Sequence, residues 1–192
     1  AARRGHMLSL MHLGATVHDL PAAMADYTGL VTGSWVVSDP MLFATYDGIE
    51  GGVVDQRVTM AFARLAGGLA LELIAPSVET PDSPQRRLLE ERPGISHVAY
   101  WSSDLAGTAR ALIASGARLF SAATQDGERL AEVLEAQGED GLLTELRACY
   151  LQLASGALVE LLDTTLWGAP LEHLCGVGIC EVVPPPPVSA VP

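Results

Sequence analysis

At 192 residues and 49% apolar side chains, the chain is long enough to bury a sizeable core, and length alone allows one or two domains. A formal charge of −12, from 23 acidic residues against 11 Arg and no Lys, argues against nucleic acid or an anionic membrane as partner, because either needs a basic patch. No run of 18 apolar residues exists, so no membrane-spanning helix is expected and a small-molecule partner fits best.

In chain order, residues 1–7 read as an N-terminal arm. The first predicted strand, 8–17, puts Leu10, His12, Gly14 and Thr16 on one face and the more apolar set Ser9, Met11, Leu13, Ala15 and Val17 on the other, which turns His12 toward a cleft. A helix follows, with Asp19 as N-cap and Pro21 in its first turn, ending near Gly29 or Gly33. Strands are predicted at 34–38, 41–46, 56–65 and 68–75, each bounded by Gly, Pro or Asp. The stretch 8–80 is read as a first βαβββ module, and the linker 81–93 carries a short amphipathic helix beginning at Ser83.

The second module, 94–166, starts with a strand at 94–101, a helix at 105–114 stopped by Gly116, and a strand at 118–121. It ends in a hairpin of 148–153 and 157–162 across Ser155 and Gly156. The acidic, helix-prone insertion 122–147 has no clear counterpart in module one, and its role is left open, a lid being one reading. The Pro-rich segment 167–192 is expected as an extended tail. Cys149, Cys175 and Cys180 lack the spacing of a thiolate zinc site, so reduced thiols in a cytoplasmic protein are expected, with a Cys175–Cys180 disulfide as the alternative.

The two modules are a degenerate repeat. Residues 12–30 (HLGATVHDLPAAMADYTGL) align with 97–115 (HVAYWSSDLAGTARALIAS), pairing His12 with His97 and Asp19 with Asp104. Further on, LAGGLALELI (65–74) aligns with LASGALVELL (153–162), pairing Glu72 with Glu160. Each glutamate sits in an apolar strand, between Leu71 and Leu73 or between Val159 and Leu161. A buried carboxylate costs several kcal/mol unless it is paired or bound to a metal. Two related sheets that turn His12, Glu72, His97 and Glu160 into one cleft would form a 2-His, 2-Glu site for a divalent ion such as Fe, Mn, Co, Ni or Zn.

The doubled βαβββ pattern with its His, Glu, His, Glu set resembles the vicinal oxygen chelate superfamily, also called the glyoxalase and bleomycin-resistance fold. The segments ALELIAP (70–76), Asp82-Ser83-Pro84, RLLE (87–90) and PGISHVAY (93–100) are most similar to methylmalonyl-CoA epimerases, over roughly residues 8–165. The resemblance implies an α+β fold of paired curved mixed sheets around a metal-binding cleft. It also implies His12, Glu72, His97 and Glu160 as metal ligands, and a homodimer. Epimerases of this kind use a glutamate one strand ahead of the second ligand as base; counting back from Phe62 puts Asp55 there, with Glu50 as the alternative. Glu160 is a further acid or base if it releases the ion.

The activity so implied is an isomerase, epimerase or lyase acting on a carbonyl compound through a metal-stabilised enolate. The substrate is an acyl-CoA such as methylmalonyl-CoA, or a biosynthetic dicarbonyl; the absence of Lys leaves no obvious site for CoA phosphates. Alternatives are a glyoxalase I-like lyase, a ring-cleaving dioxygenase, and a drug-binding resistance protein of the same fold that needs no metal, in which Trp35, Tyr100 and Trp101 would line the cavity.

Overall fold

The structure, a computed structural model, describes residues 8–123 and 127–163. The N-terminal arm, the Pro-rich tail and Cys175 and Cys180 lie outside the described residues. In module one, β1 (Leu8–Thr16) leads to α1 (Leu20–Tyr27), then β2 (Val31–Val37), β3 (Met41–Asp47), β4 (Val53–Leu65) and β5 (Ala70–Pro76). After α2 (Pro84–Glu91) come β6 (Gly94–Ser102), α3 (Leu105–Ala114), β7 (Arg118–Ala123), α4 (Gly127–Glu145), β8 (Ala148–Gln152) and β9 (Leu158–Asp163).

Local chemistry sets the helix starts. The Asp19 carboxylate accepts from Ala22 N at 2.9 Å, and its repeat partner Asp104 accepts from Gly107 N at 2.9 Å, so both crossover helices begin with the same N-cap. Ser83 Oγ caps α2 by accepting from Arg86 N at 3.3 Å, with Pro84 in the first turn. Helix α1 stops at Tyr27, a little before the glycines that marked its expected end.

The strands close on themselves. Within module one β1 pairs with β5 in parallel, and β5–β4 and β4–β3 pair antiparallel; module two repeats this as β6–β9 parallel, then β9–β8 and β8–β7 antiparallel. The modules meet antiparallel at both edges, β1 with β6 and β3 with β7, so eight strands form a curved closed sheet. Strand β2 is an addition to the repeat, paired with the second half of β4 from Ala61 to Leu65. The architecture is the α+β doubled-module fold expected from the repeat, with the two sheets joined at both ends.

The strand period divides the core in two. Val58, Met60 and Phe62 of β4 share one face and pack with Met11, Ala99, Trp101 and Leu162 inside the ring. The alternate residues face outward under the helices. Leu71, Leu73 and Ala61 meet Leu20 and Ala23 of α1, while Cys149, Leu151 and Leu161 meet α3 and α4 through Leu105, Ala109, Leu130, Val133 and Leu142. Each fully buried leucine stabilises the fold by about 1.5–3 kcal/mol relative to exposure. Insertion helix α4 therefore forms part of this outer layer, tied to β3 by a Tyr46–Glu139 hydrogen bond, and not a lid over the ring. Helix α2 packs its Leu88 against Phe120, Leu158 and Tyr150, and its Arg87 makes a bidentate ion pair with buried Asp47 at 3.1 and 2.6 Å. Among the described residues no helix is long and apolar enough to cross a membrane.

Candidate metal centre

Four central strands, β9, β6, β1 and β5, carry the site in two adjacent rows. In one row Glu160 pairs with Ala99, and Ala99 with His12; in the next, His97 pairs with Gly14, and Gly14 with Glu72. Each histidine thus stands beside a small residue of the other module, and that residue stands beside a glutamate. The arrangement is the repeat carried into three dimensions: Gly14 and Ala99 each lie two positions after their module's histidine. A side chain on Gly14 would occupy the space of the His97 ring, with its Cβ 1.8 Å from Cε1.

The register converges the four side chains. His12, Glu72, His97 and Glu160 are all buried, and one donor atom from each lies within 4.8 Å of the others. His12 Nε2 is 3.2 Å from His97 Nε2 and 3.1 Å from Oε2 of both Glu72 and Glu160. His97 Nε2 is 3.4 Å from each of the same two oxygens. Despite this closeness, neither Oε2 atom has a hydrogen-bond partner. The donor atoms gather about one point, with the carboxylates at ion-pairing distance from the imidazoles but without hydrogen bonds at Oε2. Ligand bonds of about 2.0–2.2 Å to a tetrahedral or octahedral ion separate neighbouring donors by about 2.8–3.6 Å, so the residues present fit a divalent cation. Two imidazoles and two carboxylates suit Fe, Mn, Co, Ni or Zn.

Electrostatics within the cluster are strong. For His12, burial is the largest influence and lowers its pKa, but the charge of Glu72 and the close approach of the Glu160 and Glu72 carboxylates outweigh it and hold the ring at about 10. For Glu72, burial works to raise the pKa, and the charge of His12 with the close approach of both imidazoles brings it down to about 2. His97 is likewise raised against burial by Glu160 and Glu72, and Glu160 lowered against burial by the two histidines. The site favours cationic partners for its carboxylates, whether protons on the imidazoles or a metal ion.

Around these four side chains, the modules differ. Each imidazole meets an aromatic ring edge-on: His12 meets Phe62 at 6.3 Å and His97 meets Tyr150 at 5.0 Å between centroids. The Nδ1 of His97 lies 3.1 Å from Ser96 Oγ, which is 3.0 Å from Thr16 Oγ1. The Nδ1 of His12 instead contacts the Met11 sulfur. Tyr150 pairs in register with Glu160 across β8–β9. Burial, with the charges of Glu160 and Glu72, pushes the phenol well above its ordinary value, so it stays protonated.

The structure brings together His12, Glu72, His97 and Glu160 but not Asp55. On β4 the inward positions are even-numbered, and Gln56 is buried there, accepting from Gln85 N at 3.2 Å, while Asp55 is exposed on the opposite face. Glu50 is exposed in the turn between β3 and β4, its backbone N–H bound to Asp47. Both expected bases therefore lie away from the cluster. Tyr150, Ser96 and Gly14 were missed, although the repeat aligns Tyr150 with Phe62, Ser96 with Met11 and Gly14 with Ala99.

Comparison with known proteins bears on this geometry. The sequence profile of the glyoxalase/bleomycin resistance protein/dioxygenase superfamily matches residues 11–133. Among curated proteins the chain has no match. Of solved structures, a hypothetical protein of Bacillus halodurans is similar at 20% identity, covering 82% of this chain and 94% of its own, with a TM-score of 0.46. A triple variant of 4-hydroxymandelate synthase from Streptomyces coelicolor is similar at 17% identity over 81% of this chain and 48% of its own, with a TM-score of 0.47. A variant of Streptomyces coelicolor methylmalonyl-CoA epimerase, in complex with 2-nitronate-propionyl-CoA, is similar at 19% identity over 80% and 95%, with a TM-score of 0.44.

Proposed function

The chain belongs to the glyoxalase/bleomycin resistance protein/dioxygenase superfamily, and from that premise we propose that it is a metal-dependent isomerase, epimerase or lyase acting on a small carbonyl compound. His12, Glu72, His97 and Glu160 hold one divalent ion. The observation that carries this reading is the convergence of four buried donor atoms at 3.1–3.4 Å, with both Oε2 atoms lacking a hydrogen bond. A bound divalent ion supplies a Lewis acid for the oxygen of a carbonyl substrate.

The chain's own residues do the rest. The apolar interior beside the ligands, with Met11, Met60, Phe62, Trp101 and Leu162, excludes water and strengthens the electrostatics of the site. Trp101, two positions beyond Ala99, has a buried indole N–H with no partner and offers it to a substrate oxygen. With Asp55 and Glu50 on the exposed side, the carboxylate that moves a proton alpha to the carbonyl comes from the cluster itself. A dicarbonyl or hydroxycarbonyl is favoured over an acyl-CoA, because arginines such as Arg87, Arg118 and Arg57 are already engaged with Asp47, Gln152 and Glu79.

The test is metal content together with solvent-deuterium exchange, on protein purified without chelator and on the His12→Ala, Glu160→Gln double variant. The panel holds dicarbonyl and acyl-CoA compounds. A stoichiometric divalent ion in the parent alone, with exchange on a dicarbonyl, is the expected result. No metal in either protein would remove the reading.

A further inference from the structure

The repeat allows each ligand's surroundings to be compared with those of its twin, and the comparison is lopsided. Met11 stands 85 positions before Ser96, the same offset that relates His12 to His97. Phe62 corresponds to Tyr150 by the offset that relates Glu72 to Glu160. The backbone register preserves both correspondences: Phe62 pairs with Glu72 across β4–β5, and Tyr150 with Glu160 across β8–β9. Module two therefore offers its ligands hydroxyl groups where module one offers a thioether and a phenyl ring.

The consequence follows from what each group does to a ligand. A metal-bound imidazole needs its second nitrogen to donate a proton outward, which fixes the tautomer and the ring plane. For His97 the acceptor is Ser96 Oγ at 3.1 Å, and Ser96 is steadied by Thr16 at 3.0 Å and by the Gly14 carbonyl at 3.4 Å. For His12 the neighbour is the Met11 sulfur, a weak acceptor. Beside Glu160, Tyr150 carries its hydroxyl on the neighbouring strand, with its ring edge-on to His97 at 5.0 Å between centroids. At the place facing Glu72, Phe62 has no hydrogen-bonding group.

Building on the metal-site reading above, we infer that the ion is anchored by the module-two ligands His97 and Glu160, with Ser96 and Tyr150 as their positioning residues. His12 and Glu72 form the side that gives way when a substrate oxygen enters. Symmetry of sequence thus hides a division of labour that only the surrounding shell reveals.

The experiment titrates Co(II) into the metal-free parent and into Tyr150→Phe, Ser96→Ala, Met11→Leu, Glu72→Gln and Glu160→Gln, reading the visible absorption band for affinity and coordination and thermal unfolding for integrity. Loss of an outer-shell hydrogen bond typically weakens metal binding about 10–100-fold, and that loss is expected for Tyr150→Phe and Ser96→Ala. Met11→Leu should bind as the parent does, and Glu160→Gln should lose more affinity than Glu72→Gln. Tyr150→Phe installs the side chain the repeat already carries at position 62, so it decides the matter by itself if Ser96→Ala unfolds. Parent-like affinity in Tyr150→Phe, or equal losses in the two glutamine variants, would overturn the anchoring inference and leave the metal site standing. A parent that takes up no Co(II) would instead bring down the metal site and the inference with it.

Discussion

The imidazole of His97 lies directly over Gly14, so that a Cβ on Gly14 would fall 1.8 Å from Cε1 and 2.0 Å from Nε2 of the ring. The ring has little room to retreat, because it is buried and also meets Tyr150 edge-on at 5.0 Å between centroids. Gly14 is thus what allows a histidine of one module to stand beside a glutamate of the other. Gly14→Ala is expected to destabilise the protein by about 1–3 kcal/mol through overpacking and to abolish stoichiometric Co(II) uptake. Urea unfolding and metal titration check both effects, and an alanine variant that binds Co(II) normally would refute the packing argument.

The cluster's charges predict a pH profile for the metal-free protein. Folding raises His12 from 6.5 to about 10, so its contribution is complete below pH 6.5 and fades as pH climbs through 10. Folding lowers Glu72 from 4.5 to about 2, so its contribution is complete above pH 4.5 and is lost as pH falls toward 2. Stability from this site should therefore peak between pH 4.5 and 6.5. A divalent ion replaces the His12 proton, so Co(II) affinity should rise with pH up to about 10 and binding at neutral pH should release protons. Calorimetry in buffers of different ionisation heat measures that release; pH-independent affinity without proton release would contradict it.

The doubled fold and the gathering of His12, Glu72, His97 and Glu160 were legible because both rest on spacing. A histidine and a glutamate repeated at nearly constant offsets survive the loss of most other identities, and burial of an acid between leucines marks a residue that needs a partner. The misplaced base shows where such counting fails. Asp55 was located by distance along the chain from Phe62, yet the two differ in strand parity, and the period of two alone sends Asp55 to the outer face. Tyr150 was legible through its alignment with Phe62, but its importance depends on a hydroxyl standing in register beside Glu160, which no pattern of apolar residues signals. The lid reading of 122–147 failed for a different reason. An amphipathic helix says that one face is covered, not which layer covers it.

Asp47 carries a prediction that the sequence did not suggest. Its carboxylate is almost fully buried and accepts from Arg87, Ile49 N and Glu50 N. Burial would raise its pKa, but these partners, Arg87 foremost, keep it below the ordinary carboxylate range. Arg87→Ala should cost about 3 kcal/mol by leaving a buried charge without its ion pair. The stability lost in this variant should shrink as pH falls, because acid protonates Asp47 and removes the need for a cation. Adding Asp47→Asn should restore part of the loss at neutral pH, measured by urea unfolding. A double variant no more stable than the single one would show that Arg87 acts by packing.

Helix α4 distinguishes stability from function. Its Leu130 is fully buried against the outward face of module two, with Val133, Leu142 and Leu146, on the side of the sheet away from the ligands. Leu130→Ala should lose about 2–5 kcal/mol, as a large-to-small change in a packed core does. Because the four ligand strands keep their register, Co(II) affinity at temperatures below the unfolding transition should stay at the parent level. Thermal unfolding and metal titration on one sample separate the two quantities. A variant that keeps its stability and changes its affinity for substrate would return α4 to the role of a lid.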